Sequence, residues 1–333
     1  VLLVGRTGRN KGGGIARSAQ LIVKALESVG DVCRLRSVQE PLTDIPADTD
    51  LVWHYGDLTH IDQMVAASRE AGVPILINST LDDRADRRNF MHTQMAGWDP
   101  KGRGDVFFAV FSHAAEHDVR LHKLGARLCA VPKTIDIAGD IWSSTHGFDE
   151  RAGICLGELE KLRRSRLVAG IDVDEAVRAL MGACPGARLT VYDQYGTVGT
   201  TPPEGVTVVP KMGQRKAFFQ WLGEHRLFVS LVRHETFAMV PAEAQAVGLP
   251  VLFRHMPQSL SEHLGMTGHC FDSVHELVEM AGCLYHSKRH WMKASTASRH
   301  NAHARSVGTI GCALSLSLRR LLVRARHYGR DRP

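Results

Sequence analysis

The run 227–253 constrains the fold of this chain more than any other stretch. It opens with five apolar or small residues, Leu227 to Leu231, that read as a buried strand. A polar loop follows, and then 240–248, VPAEAQAVG, reads as a helix. Pro241 suits the first turn, alanine and glutamate favour the interior, and Gly248 suits the C-terminal cap. Leu249 leads into a second apolar strand at 250–253. Strand, loop, helix, strand is the repeating unit of a parallel sheet, because parallel neighbours need a crossover between them. Open sheets of this kind bind ligands outside the carboxyl ends of their strands.

Two carboxylates, Glu235 and Glu243, stand eight positions apart in this unit. Glu235 falls in the loop at the carboxyl edge of the sheet. Glu243 falls in the first turns of the helix, near its electropositive end. Backbone N–H groups around Phe237, Ala238 and Met239 are placed to meet a diphosphate. Carboxylates accept hydrogen bonds from vicinal hydroxyls. Together these groups suit a sugar nucleotide.

The segment resembles the retaining GT-B glycosyltransferases, glycosyltransferase family 4 in particular. The hallmark there is Glu-x7-Glu within E-x-F-G-x-x-x-x-E-A-x-A-x-G-x-P-V. This chain matches it at Glu235, Phe237, Glu243, Ala244, Ala246, Gly248, Pro250 and Val251. Ala238 departs from it, standing where the family usually has glycine. The alternative is an ordinary strand–helix–strand unit with two solvated glutamates.

The rest of the chain repeats the alternation. Strands are expected at 1–5, 31–38, 49–57, 73–80, 106–113 and 127–136, with helices after the first glycine loop and at 60–72 and 114–126. The stretch 137–153 lacks periodicity and reads as a linker. A second set of units follows: strands at 153–159, 187–193 and 206–210, and helices at 172–184, 214–225 and 273–285. The tail 289–329 reads as helical and basic. The fold class is therefore α/β, with an N-terminal domain at 1–140 and a C-terminal domain at 150–300. The resemblance implies GT-B, two Rossmann-like doubly wound domains facing across a cleft. It also implies that the tail 301–333 returns to the first domain, although its last turns suit a solvated helix end as well.

Composition bounds the partners. A chain of 333 residues is long enough for two cores. No apolar run approaches the roughly 20 residues of a membrane span. The opening residues read as a strand running into a glycine loop, not as a signal peptide, and an initiator methionine is expected to precede Val1. Seven cysteines without a CxxC pair, placed inside apolar segments, suggest reduced core thiols in a cytoplasmic protein. Eighteen histidines are dispersed, without an HExxH pattern, so no metal site is expected. A net charge of +6 suits either a polyanionic partner or a merely soluble basic protein.

The resemblance assigns further residues. The loop holding Gly12, Gly13 and Gly14, with Arg17 beyond it, matches the family's glycine loop near the donor phosphates or the acceptor. Glycine permits close backbone approach there. The family's phosphate clamp, G-R-L-x-x-x-K-G, falls within 157–166. Glu158 holds the arginine position, and Arg163 holds the lysine position, with Lys161 and Arg164 beside it. A solvated basic loop is the plain alternative at 161–166. Lys211, Met212 and Gly213 match the nucleobase region. After the strand at 73–80 the family often has a histidine, where this chain has Asn78, Ser79 and Thr80.

His54 and His113 lie at other strand ends and are catalytic candidates beside Glu235, although a structural role suits each. Asp57 and Asp82 are weaker candidates for the acceptor side. Arg84, Arg87, Arg88, Lys101 and Arg103, interleaved with Phe90 and Trp98, suit a polyanionic acceptor with stacking faces, or else form an ordinary connecting loop.

The resemblance thus implies transfer from a UDP- or GDP-sugar with retention and without a metal or other cofactor. Glu235 would contact the donor sugar, Glu243 the ribose, and the amides of Phe237 to Met239 sugar and phosphate. Two acceptor readings stand, a hydroxymethylated base in phage-type DNA and an anionic lipid or growing glycan at a membrane surface, and beside them a non-enzyme reading, a donor-binding module whose clamp Glu158 has disabled.

Overall fold

The computed structural model describes residues 1–5, 14–37, 39–40, 42, 44–55, 60–78, 97–98, 104–110, 127–135, 137, 146–166, 171–194, 196, 201–232, 239–255, 264–265 and 269–330. The chain divides into two compact units, Val1–Asp136 together with Arg305–Pro333, and Ile137–Ala304.

The first unit holds a six-stranded parallel sheet of β1 (Leu2–Gly5), β2 (Arg34–Ser37), β3 (Val52–Tyr55), β4 (Ile75–Asn78), β5 (Val106–Val110) and β6 (Leu128–Ala130). Its order is β2-β1-β3-β4-β5-β6. Every residue of β1, β3, β4, β5 and β6 is buried, and only the edge strand β2 is partly exposed. A parallel sheet covered on both faces needs such continuous apolar strands. One face packs Val4, Val52 and Ile77 against Ile61, Met64 and Val65 of helix α2 (Ile61–Glu70). The other packs Leu3, Trp53 and Leu76 against Ala19, Ile22 and Leu26 of α1 (Gly14–Glu27).

The second unit has a six-stranded parallel sheet of β7 (Gly153–Glu158), β8 (Arg188–Asp193), β9 (Val206–Pro210), β10 (His225–Ser230), β11 (Val251–Arg254) and β12 (His269–Phe271), in the order β12-β11-β10-β7-β8-β9. Among the described residues its α-helices are α3 (Leu159–Arg166), α4 (Val173–Ala183), α5 (Arg215–Gly223), α6 (Met239–Ala246), α7 (Val274–His286) and α8 (Lys288–Ala304). Helix α6 is buried from Val240 to Ala246. It ends as the sequence suggests. Gly248 takes φ +79°, its N–H donates to the Gln245 carbonyl, and the Leu249 N–H donates to the Ala244 carbonyl, both at 2.9 Å. That pairing closes the last carbonyls of the helix and requires a left-handed residue at 248.

The basic tail is not one helix. Helix α8 stops at Ala304, and α9 (Val307–Arg330) begins after a break with neither proline nor glycine at 305–306. Tertiary bonds hold the break. The Thr134 hydroxyl and the Ile135 N–H both donate to the Arg305 carbonyl at 3.0 Å, and Ile135 bridges to Ser306. Past the break, α9 packs Ile310, Leu314, Leu318 and Leu321 into the core it shares with α1. Among the described residues no helix is long and apolar enough to cross a membrane.

One buried histidine makes the second unit acid-sensitive. His225 opens β10, with Nδ1 2.7 Å from the Trp221 carbonyl and Nε2 2.6 Å from the Thr190 hydroxyl. The neutral ring satisfies both by donating at Nδ1 and accepting at Nε2. Burial is the main force holding its pKa down, to about 4 from the usual 6.5. The unfolded chain therefore takes up this proton before the folded one does. The contribution to stability is complete above pH 6.5 and is lost as the pH falls toward 4. Urea midpoints measured across this window are expected to fall with acid. The slope is expected to be shallower in His225→Asn, whose amide can replace the Nδ1 donor. An unchanged slope would remove His225 from the account.

Candidate functional site

Sheet order locates the crevices. In the second unit β8 and β9 follow β7 outward on one side, and β10 then returns to the other side. The switch point lies between the carboxyl ends of β7 and β10, where open α/β sheets bind ligands. In the first unit the same reversal falls between β1 and β3.

At the β7 end the strand carries a bulge, with the register shifting between Cys155 and Glu158. Gly157 sits in it at φ +82°, and the Phe228 ring lies 3.3 Å from where a Cβ would be. Such a bulge re-aims the residue that follows. Here that residue is Glu158, only 9% exposed, and in register with Tyr192 of β8. The Tyr192 hydroxyl accepts from the Met212 N–H at 3.4 Å. Burial chiefly raises its pKa, and Glu158, Glu243 and Asp193 raise it further through their negative charge. Three carboxylates thus act electrostatically on this tyrosine.

Glu243 is the one charged residue of helix α6 and is 4% exposed. Arg215, at the start of α5, brings Nη1 to 3.9 Å from its Oε1, while its guanidinium lies 4.6 Å from the centre of the Phe219 ring. Sequence reasoning missed Arg215 and Tyr192. Each comes from an element remote in sequence, and neither carries a local motif.

The stretch 159–166 forms a helix, not a loop. Lys161 reaches the Glu158 carboxylate at 3.6 Å. Arg163, the better match by spacing, is exposed and donates to both Glu160 oxygens at 2.8 and 2.7 Å. Lys211 is exposed after β9, Met212 is half-buried, and Met239 is the half-buried first residue of α6.

In the first unit Gly14 begins α1, and Arg17 is half-buried one turn on. The Ser18 and Tyr55 hydroxyls share a buried hydrogen bond of 2.6 Å, and Lys133 lies 5.8 Å from the centre of the Tyr55 ring. Asn78, beside Tyr55 at the sheet edge, is buried. His54 is fully buried one residue before the end of β3, on the opposite sheet face from Tyr55. Trp98 is buried, and its indole N–H donates to Asp62 at 2.5 Å. Outside the described residues lie Glu235, Phe237, Ala238, His113, Gly12, Gly13, Asp57, Asp82, Ser79, Thr80, Phe90, the helix expected at 114–126, and the cluster Arg84, Arg87, Arg88, Lys101 and Arg103. Among the described residues no group of three or more histidines, cysteines or carboxylates is arranged to hold a metal ion.

Two parallel six-stranded sheets with surrounding helices, each with its own switch point, are the two Rossmann-like domains of the GT-B fold. Solved glycosyltransferases share it. Anabaena HepE in complex with UDP and glucose is 14% identical, with a TM-score of 0.64 over 96% of this chain and 98% of that one. Sucrose-phosphate synthase from Thermosynechococcus elongatus is 15% identical, at 0.62 over 97% and 98%. A glycosyltransferase from Rickettsia africae is 12% identical, at 0.63 over 99% and 98%. At such identities the likeness establishes the fold. No protein-family model matches the chain. No curated protein matches it in sequence.

Proposed function

We propose that this chain is a retaining glycosyltransferase that moves a sugar from a nucleoside-diphosphate sugar to an acceptor hydroxyl. The buried Glu243 carries the reading. A carboxylate only 4% exposed on an otherwise uncharged helix is costly to keep unless its hydrogen bonds serve a purpose. In this reading it accepts from the ribose hydroxyls, and Glu235 accepts from the donor sugar. The amides of Phe237 to Met239 and the lysine at 161 face the diphosphate, and Lys211 and Met212 flank the base. HepE, of the same fold, is seen with UDP and glucose.

The acceptor is read as polyanionic, with DNA carrying a hydroxymethylated base as the specific choice. Residues 280–330 hold ten lysines and arginines and no aspartate or glutamate. The whole chain has 41 basic and 35 acidic residues, so the remainder is net negative and the positive charge is gathered at the C-terminal helices. Such a concentration favours a phosphate-bearing partner.

Nucleotide release from UDP-, GDP- and ADP-sugars tests the reading, with hydroxymethylated duplex DNA or anionic vesicles as acceptor. Wild type is expected to release nucleotide in the presence of the acceptor it uses, with the product anomer retained. Glu235→Ala is expected to lower the rate by about two orders of magnitude, the loss of two charged hydrogen bonds. Absence of release by wild type with every donor, or equal rates in the variant, would sink it. Label appearing in the vesicles and not in the duplex would move the acceptor to the membrane surface.

A further inference from the structure

The second unit places a carboxylate where an anion is to be bound. Glu158 closes β7 at the switch point, aimed there by the Gly157 bulge, and α3 starts at the next residue. A strand that turns directly into a helix N-terminus at a switch point is where these folds hold phosphate. Glu158 is 9% exposed, so its charge is poorly screened by solvent. Lys161 stands one turn on and reaches its Oε2 at 3.6 Å. The neighbouring cation Arg163 is engaged by Glu160 on the exposed side. Asp193 and Glu243 add negative charge around Tyr192, the register partner of Glu158.

We propose that Glu158 sets the nucleotide affinity of this site by holding Lys161 as an internal ion pair, so that a nucleoside diphosphate binds only in competition with it. This rests on the donor reading given above. The diphosphate takes Lys161 over from Glu158 and meets the repulsion of the carboxylate left behind. Binding is correspondingly weak, and the spent nucleotide leaves readily. Glu158 is a specificity-determining residue here, acting through Lys161 and through its own charge.

Calorimetric titration of the full chain with UDP, GDP and ADP tests this in wild type, Glu158→Gln, Lys161→Met and the double variant. Glu158→Gln keeps shape and burial but removes the charge. Its affinity for the nucleotide that wild type binds is expected to rise about tenfold. Lys161→Met is expected to weaken binding. In the Lys161→Met background the gain from Glu158→Gln is expected to shrink, because the pair is already broken. Unfolding midpoints near wild type show that each variant folds. Unchanged or weaker binding by Glu158→Gln, with wild type binding normally, overturns the proposal and leaves the donor reading standing. No binding of any of the three nucleotides by wild type or Glu158→Gln overturns both.

Discussion

Replacing Gly311 by alanine is expected to lower the unfolding midpoint of the first unit by roughly 5–10 °C. Gly311 lies where α9 crosses α1. A Cβ there would meet the Ala25 carbonyl oxygen at 2.4 Å and the Ser28 hydroxyl at 2.8 Å. The first obstacle is backbone and cannot turn aside, so the helices must separate. Separation loosens Leu314, Leu318 and Leu321 from the core they share with α1. Overpacking of this kind costs roughly 2–3 kcal/mol, and each kcal/mol moves the midpoint of a unit this size by about 2–4 °C. Gly308, in the same helix, meets nothing within 4 Å. Gly308→Ala is therefore expected to be neutral or slightly stabilising, since alanine favours helix. Calorimetry of the two variants side by side decides it. Equal midpoints would mean that the α1–α9 crossing does not limit stability.

The second large effect concerns Glu243, where stability and activity are expected to part. Its carboxylate is buried, with the Arg215 guanidinium at 3.9 Å, beyond direct hydrogen-bond reach. Replacing a buried charge by an amide of the same shape relieves desolvation as much as it forfeits attraction. Glu243→Gln is accordingly expected to unfold at or above the wild-type temperature. If the carboxylate receives the ribose hydroxyls, the same variant exchanges two charge-assisted hydrogen bonds for one neutral bond and one misplaced amide donor, a loss of about 3 kcal/mol. Donor KM is then expected to rise by about two orders of magnitude with a smaller change in kcat. A variant that folds and keeps the wild-type donor KM would refute the ribose contact.

What was legible in the sequence follows from what each element buries. Strands such as 75–78 and 106–110 are covered on both faces, so each reads as an apolar run. Helix α6 announced itself by proline, alanine and a terminal glycine, and its cap formed as expected. Helix α3 was hidden because its described apolar anchors, Leu159 and Leu162, stand amid Glu160, Lys161, Arg163, Arg164 and Arg166. The three-residue strand β12 is too short to show a period. The break at 305–306 was illegible because Thr134 and Ile135 impose it from far along the chain. Spacing singled out Glu243, which the structure buries beside Arg215. It could not find Tyr192, which parallel pairing sets in register with Glu158, or Arg215, which helix α5 brings to Glu243. Spacing also favoured Arg163 over Lys161, whereas the turn of α3 sends Arg163 to Glu160 and Lys161 to Glu158.

The return of α9 has a bearing on synthesis. The second unit is one uninterrupted segment, Ile137–Ala304, whereas the first is assembled from two pieces separated by that segment. As the chain leaves the ribosome, residues 1–136 emerge with one sheet face lacking the leucines of α9. The later-made unit can close first, and the earlier-made one must wait for residues 307–330. Vectorial order is thereby inverted, and a stalled or truncated nascent chain would expose Trp53, Phe107 and Leu76 to chaperones until α9 arrived.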